Sequence, residues 1–183
     1  MHVKTTSFKD LIICQPSVFT DERGYFYESY KQKTFEEKTG LSPQFVQDNQ
    51  SESTYGVLRG LHFQVGEMAQ AKLVRVIDGE VLDVVVDLRK EEPTFGKSFS
   101  MILSGENKTQ LFIPRGFAHG FVVLSKKATF SYKCDNYYHK ESERGLKFDD
   151  PYLGIDWKLD PKALILSEKD LLHPDFETLK QLL

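Results

Sequence analysis

In Val57–Gln64, VLRGLHFQ, an arginine, a histidine and a glutamine stand among apolar residues in a segment that reads as a strand. The chain has five histidines in all, none of them close in sequence to His62. A metal site would want more nitrogen or carboxylate donors at short range, and a packing role would want an apolar side chain. Imidazole titrates near neutrality, which suits it to taking a proton from a weak acid. Strand alternation predicts Leu58, Gly60, His62 and Gln64 on one face and Arg59, Leu61 and Phe63 on the other, with Gly60 leaving room for a ligand beside the ring. An isolated histidine is more often a core or surface residue than a catalyst, so His62 needs partners.

Three further groups could supply them. In ATFSYKC, alternation sets Tyr132 on the inward face with Phe130 and Cys134, where a phenol either closes a core hydrogen bond or holds a proton for transfer. His119 lies in RGFAHG, between glycines at a loop leading into a strand, a setting that favours binding. Asp170 ends LSEKD; its ordinary reading is a solvated acid at a helix start. PRGFAH has the Pro-x-Gly-x-x-His form of a second cupin motif, but the first motif wants His-x-His where this chain has His62-Phe63-Gln64. Gln64 is a poor ligand for a divalent metal beside imidazole. A weaker set of His62, Glu67 and His119 is the remaining metal reading, and metal-free chemistry is the expectation.

The elements that must position these groups are mostly strands. KLVRVIDGEVLDVVVDLR, residues 72–89, offers two apolar runs around Asp78-Gly79, the kind of pair that closes a tight hairpin. In its second arm Leu82, Val84, Val86 and Leu88 alternate with Val81, Asp83, Val85 and Asp87. Further strands are predicted over 98–104, 110–114, 120–125 and 128–134. Many short strands with close-set breakers predict a sandwich, jelly roll or small barrel. Two helices are expected: one with Thr34 as N-cap, Glu37 three residues on and Gly40 as stop, and one over the tail 174–183 with Pro174 in its first turn.

Length and composition fit one domain over residues 1–183, with 40% apolar and 28% charged residues. A net charge of −3 gives no general pull toward nucleic acid or an anionic membrane, so a polyanion must meet a local basic cluster. The opening residues lack a signal-peptide core and no run approaches a membrane span, making the cytosol the expected location. Cys14 and Cys134 form no CxxC pair and are expected to pack as small apolar groups. There is no phosphate-binding P-loop, dinucleotide fingerprint or serine elbow.

The segments FTDERGYFYES, FVQDNQSES, VLRGLHFQ, AQAKLVRVIDGEVLDVVVDLR, PTFGK, IPRGFAHGFVVLS, YKC with YY, ESERG, DPYLGIDW and LSEKD follow one another in order. Together they resemble the dTDP-4-dehydrorhamnose 3,5-epimerases (dTDP-4-keto-6-deoxyglucose 3,5-epimerases) of the cupin superfamily, from about Phe19 to Asp170. The resemblance implies a mainly β, cupin-type jelly roll with a few short helices. It further implies a homodimer that uses neither metal nor organic cofactor and acts on a dTDP-4-keto-6-deoxy sugar. By matching position, His62 is the general base, Asp170 the carboxylate that orients it, Tyr132 the proton donor on the opposite face, and Lys72 the neighbour of the sugar's C4 oxygen. The nucleotide and diphosphate positions are Arg23, Glu28, Gln47, Asn49, Arg59, His119, Tyr138, Glu143 and Lys169. In that family the DERG segment can be contributed across the dimer. Phe63 departs from a common tyrosine, on the face predicted to point away from His62.

Inverting a carbon beside a ketone requires a base on one face, a proton donor on the other and a cation or donor at the oxygen that becomes anionic. A positioned base contributes about 10²–10⁴-fold, and a fixed oxyanion donor about 2.7–4 kcal/mol. The competing readings are a single-centre 3- or 5-epimerase or a 3,4-ketoisomerase on a related sugar, a metal-dependent cupin oxygenase, and a sugar-nucleotide binding module without catalysis.

Overall fold

The computed structural model describes residues 1–182, and Leu183, the end of the expected C-terminal helix, lies outside the described residues. In chain order the strands are β1 (His2–Thr5), β2 (Ile12–Gln15), β3 (Phe19–Asp21), β4 (Gly24–Phe26), β5 (Gln47–Thr54), β6 (Leu58–Gln64) and β7 (Lys72–Asp78). They continue with β8 (Glu80–Asp87), β9 (Ser98–Ser104), β10 (Gln110–Ile113), β11 (Phe117–Val123), β12 (Lys127–Cys134) and β13 (Glu143–Gly145). The helices are short: α1 (Gln32–Thr39), α2 (Glu168–Leu171) and α3 (Phe176–Lys180).

Two antiparallel sheets face each other, ordered β1-β2-β10-β7-β12-β5 and β13-β6-β11-β8-β9, while β3 and β4 form a separate ribbon. From β5 to β12 the chain crosses between the sheets at every connection except β8 to β9, which pair as neighbours. This is the jelly-roll architecture expected above. Asp78-Gly79, however, closes no hairpin. β7 pairs with β10 and β12, and β8 with β11 and β9, so the turn carries the chain from one sheet to the other. The reason lies in β8, whose two faces are both apolar: Val81 and Val85 enter the cluster between the sheets, Leu82, Val84 and Val86 a second cluster behind. Buried on both faces, β8 is central in its sheet with β11 and β9 on its two edges, while β10 and β12 occupy both edges of β7. Gly79 makes the crossing with φ +81°, and any β-carbon there would run into the Lys127 carbonyl and Ala128.

The central cluster joins Val74, Leu111, Phe121 and Phe130 across the sheets. The second packs Leu58, Leu61, Phe63, Leu146, Trp157 and Phe176 behind the five-stranded sheet, so the C-terminal segment is held as a cover on that sheet. A third seats Phe35 of α1 against Ile12, Leu73 and Phe112. α1 begins before the expected cap: Lys31 occupies the N-cap without a side-chain bond, and Thr34 lies inside the helix. Gly40 does end it in the left-handed region at φ +73°. α3 starts after Pro174, capped by Asp175, whose carboxylate accepts from the Thr178 amide at 2.8 Å. Among the described residues no helix is long and apolar enough to cross a membrane.

Gly79→Ala is expected to lower the unfolding free energy by about 3 kcal/mol, from left-handed strain plus the clash with Lys127. Gly154→Ala, equally left-handed but with open space around it, should cost about 1 kcal/mol. Urea unfolding of both variants checks the difference.

Candidate active site

Between the two sheets lies a cavity of about 550 Å³. The six-stranded sheet contributes Asn49 from β5, Lys72 from β7 and Tyr132 from β12; the other contributes Arg59 and His62 from β6 and His119 from β11. Lys169 and Asp170 reach it from α2. The sequence-derived core of the site therefore meets in one place.

Arg59 and His62 share the cavity although simple alternation sets them on opposite faces. Against β11, Phe121 pairs with Arg59 and His119 with His62, so one extra residue is accommodated in β6. This bulge re-phases the strand: Leu58, Leu61 and Phe63 point to the rear cluster, Arg59 and His62 to the cavity. Gly60 is not a ligand window. A β-carbon there would meet Gly120 Cα and the His119 carbonyl, so the glycine lets the bulged backbone approach β11. Gln64 is buried and tied to the backbone, donating to the Met68 and Tyr137 carbonyls and accepting from the His139 amide.

Asp170 reaches His62 because the C-terminal segment is pinned beside the start of β6. The Leu58 amide donates to the Ile165 carbonyl and the Ile165 amide to the Gly56 carbonyl. Gly56 is required there, since a side chain would occupy the Ala163 carbonyl's place. Ser167 caps α2, and its hydroxyl donates to Asp170 Oδ2 at 2.9 Å. Asp170 Oδ1 lies 2.5 Å from His62 Nε2. Burial opposes the charge on Asp170, but His173, His62 and Ser167 around it outweigh that burial and hold the carboxyl well below the usual range. A charged carboxylate can only accept, so Nε2 of His62 carries the hydrogen and Nδ1 keeps a free lone pair.

Lys72 has no carboxylate within ion-pair distance among the described residues, and its Nζ lies 5.8 Å from the centre of the Tyr132 ring. Burial pushes its ammonium below the ordinary lysine value, only partly offset by Cys134, Asp83 and Glu143. Burial likewise raises the Tyr132 phenol, keeping it protonated near neutral pH. His119 sits within β11 rather than in the loop before it; its Nε2 donates to Asp83 Oδ2 at 2.8 Å. Asp83 is fully buried, and its Oδ1 has no partner among the described residues.

At the rim, Glu143 accepts from Lys169 at 2.5 Å and from the Tyr138 hydroxyl at 2.9 Å. Gln47 donates to Asn49 Oδ1 and accepts from the Tyr138 amide. Arg23 and Glu28 stand apart from the cavity. Arg23 is at the tip of the β3–β4 ribbon, paired with Asp21, and Glu28 lies 3.6 Å from Lys31. Glu67 falls in the turn after β6 and does not line the cavity. Sequence reasoning missed Ser167, Asp83 and His173. Asp83 carried a signal, being an acid on the inward face of an apolar strand; His173, three residues after Asp170, carried none beyond that helical spacing.

The arrangement sets a base with a free lone pair and a neutral phenol on facing walls, with a cation nearby. The family model described as dTDP-4-dehydrorhamnose 3,5-epimerase matches residues 5–178. A dTDP-4-dehydrorhamnose 3,5-epimerase of Shigella flexneri is 54% identical over 171 residues, 93% of each chain. The crystal structure of the Elizabethkingia anophelis dTDP-4-dehydrorhamnose 3,5-epimerase superposes with a TM-score of 0.94 at 60% identity over 97% of both chains. A Legionella pneumophila dTDP-6-deoxy-D-glucose-3,5-epimerase in complex with dTDP-4-keto-L-rhamnose gives 0.92 at 50% identity, covering 96% of this chain and 93% of that one.

Asp170→Asn presents an amide to Nε2 and favours the tautomer with hydrogen on Nδ1. Turnover should fall about 10²- to 10⁴-fold with little change in fold. Because the folded Asp170 carboxyl lies below its unfolded value, its stabilisation is full above the ordinary carboxylate range and disappears as pH falls through the folded value. Acid titration of unfolding should accordingly be flatter in Asp170→Asn than in the wild type.

Proposed function

The chain belongs to the dTDP-4-dehydrorhamnose 3,5-epimerase family, and from that premise we propose a residue-by-residue route for its reaction. The protein is an isomerase that converts dTDP-4-dehydro-6-deoxy-D-glucose to dTDP-4-dehydro-L-rhamnose, a step of dTDP-L-rhamnose biosynthesis. The reacting carbons, C3 and C5, flank the C4 ketone and are weak carbon acids. His62 Nδ1 takes the proton from one face of the ring. The electron pair moves into the C4 oxygen, where the Lys72 ammonium meets the developing charge. Tyr132 returns a proton from the opposite face, the phenolate it leaves being far less basic than the enolate carbon. Asp170 holds the His62 tautomer and stabilises the imidazolium that forms. The observation supporting this route is that His62, held by Asp170, and Tyr132 line one cavity from opposite sheets.

The dTDP moiety needs local cations in a chain of net charge −3. Arg59, positioned by a 3.0 Å bond from its Nε to Ser53 Oγ, and Lys169 supply them beside the cavity, with His119 as a further polar contact. Tyr138, exposed at the rim, offers a flat face for thymine, with Gln47, Asn49 and Glu143 as polar neighbours. Arg23 and Glu28 act on the site of a second copy in a homodimer. The exposed Phe19, Tyr25 and Phe26 on their ribbon are the apolar surface such an exchange would cover. The chain works as one catalytic domain over 1–183, in the cytosol.

In deuterated buffer, product is expected to carry label at both C3 and C5; label at one carbon alone would assign a single-centre epimerase. His62→Ala should lose turnover by about 10²–10⁴-fold or more while dTDP affinity changes little. The alkaline limb of turnover should fall below the ordinary lysine range, because burial favours the neutral amine and Lys72 loses its charge early. Lys72→Arg, which stays charged, should move that limb upward. Light scattering should give twice the chain mass, and Arg23→Ala should raise KM with a smaller effect on kcat.

A further inference from the structure

Behind His62, on the side away from Nδ1, a second imidazole meets the same carboxylate. His173 Nε2 lies 3.5 Å from Asp170 Oδ1, the oxygen that His62 Nε2 approaches at 2.5 Å. The rings of His62 and His173 stand edge to face with centroids 5.3 Å apart. Only 10% of the His173 side chain is exposed, and its Nε2 has no hydrogen-bond partner among the described residues. Its seat is built for an imidazole. The ring lies over Gly145 of β13, the residue paired with His62, and a β-carbon on Gly145 would occupy the ring's space. The mechanism above uses His173 only as a neighbour that helps keep Asp170 charged.

Two imidazole nitrogens and a carboxylate oxygen within 4.8 Å of one another are a donor set for a borderline-soft divalent ion. Zinc bonds of about 2.0–2.2 Å place neighbouring tetrahedral donors about 3.3 Å apart. The His173–Asp170 spacing of 3.5 Å already matches, the His62–Asp170 contact of 2.5 Å must open by less than about 1 Å, and the two imidazole nitrogens, within 4.8 Å of each other, must close by up to about 1.5 Å. We propose that His62, Asp170 and His173 form an inhibitory Zn²⁺ site behind the catalytic base. Coordination through Nε2 sends the His62 ring hydrogen to Nδ1. The lone pair that takes the sugar's proton is then gone. No proton leaves the ring on balance; only the tautomer changes, and Asp170 exchanges its His62 bond for the metal. The proposal rests on His62 being the base through Nδ1.

The test uses metal-free full-length protein and Zn²⁺ competed against a chromophoric chelator, alongside turnover with and without Zn²⁺. His139→Ala removes the exposed His139–Glu141 pair, 3.3 Å apart, as a competing surface site. One Zn²⁺ per chain should bind to the wild type and to His139→Ala, and inhibition should be reversed by EDTA. His173→Asn should weaken binding by more than about tenfold and lose the inhibition, each variant judged against its own metal-free rate. His173→Phe fills the seat on Gly145 without a donor nitrogen and should behave the same way, separating loss of the ligand from loss of packing. Unchanged affinity in both variants, bound zinc without inhibition, or no binding at all overturns the proposal. If His62→Ala keeps turnover, the base assignment has failed; if it loses turnover while the His173 variants bind zinc normally, the zinc site alone has failed.

Discussion

The structure depends on one contact between residues 108 apart in sequence: His62 Nε2 on Asp170 Oδ1. Its chemical content is a fixed tautomer. An imidazole free to rotate would present hydrogen or lone pair to a substrate at random, whereas one tied to a carboxylate presents the lone pair alone. The architecture can be read as the means of holding this bond. The rear apolar cluster keeps the C-terminal segment on the five-stranded sheet, the Leu58–Ile165–Gly56 backbone bonds set its register, and Ser167 fixes the far carboxylate oxygen.

Burial sets the remaining electrostatics. On the cavity wall opposite His62, burial favours a neutral Tyr132 and depresses the Lys72 ammonium, so one physical cause tunes both groups. A buried lysine without a carboxylate partner costs stability, and Lys72 carries that cost on the cavity wall beside Tyr132. His119 differs, being pinned to buried Asp83 deep in β11.

Much of this is legible in the order of the amino acids. The spacing of short strands points to a jelly roll, and the alternation in β8 places Val81, Asp83 and Val85 together. Local patterns fail where tertiary geometry overrules them. Asp78-Gly79 looks like a hairpin turn because the local signal cannot say which sheet the next strand joins. The bulge at Gly60 hides the shared face of Arg59 and His62, since an extra residue leaves no composition signal. His173 is invisible in the sequence because its meaning depends on Gly145 and Asp170 meeting in space. Arg23 and Glu28 lie outside the cavity of their own chain, so no single-chain geometry assigns them.

The central claim is that His62 removes and Tyr132 returns the proton, from opposite faces of one sugar ring. The most direct measurement is hydrogen exchange and stereochemistry together, on Tyr132→Phe in deuterated buffer with dTDP-4-dehydro-6-deoxy-D-glucose. The account predicts that the variant still exchanges substrate hydrogen beside the ketone for deuterium, through an intact base, while inverted product nearly disappears. Loss of exchange in Tyr132→Phe, with exchange preserved when His62 is replaced, would reverse the two roles and contradict it.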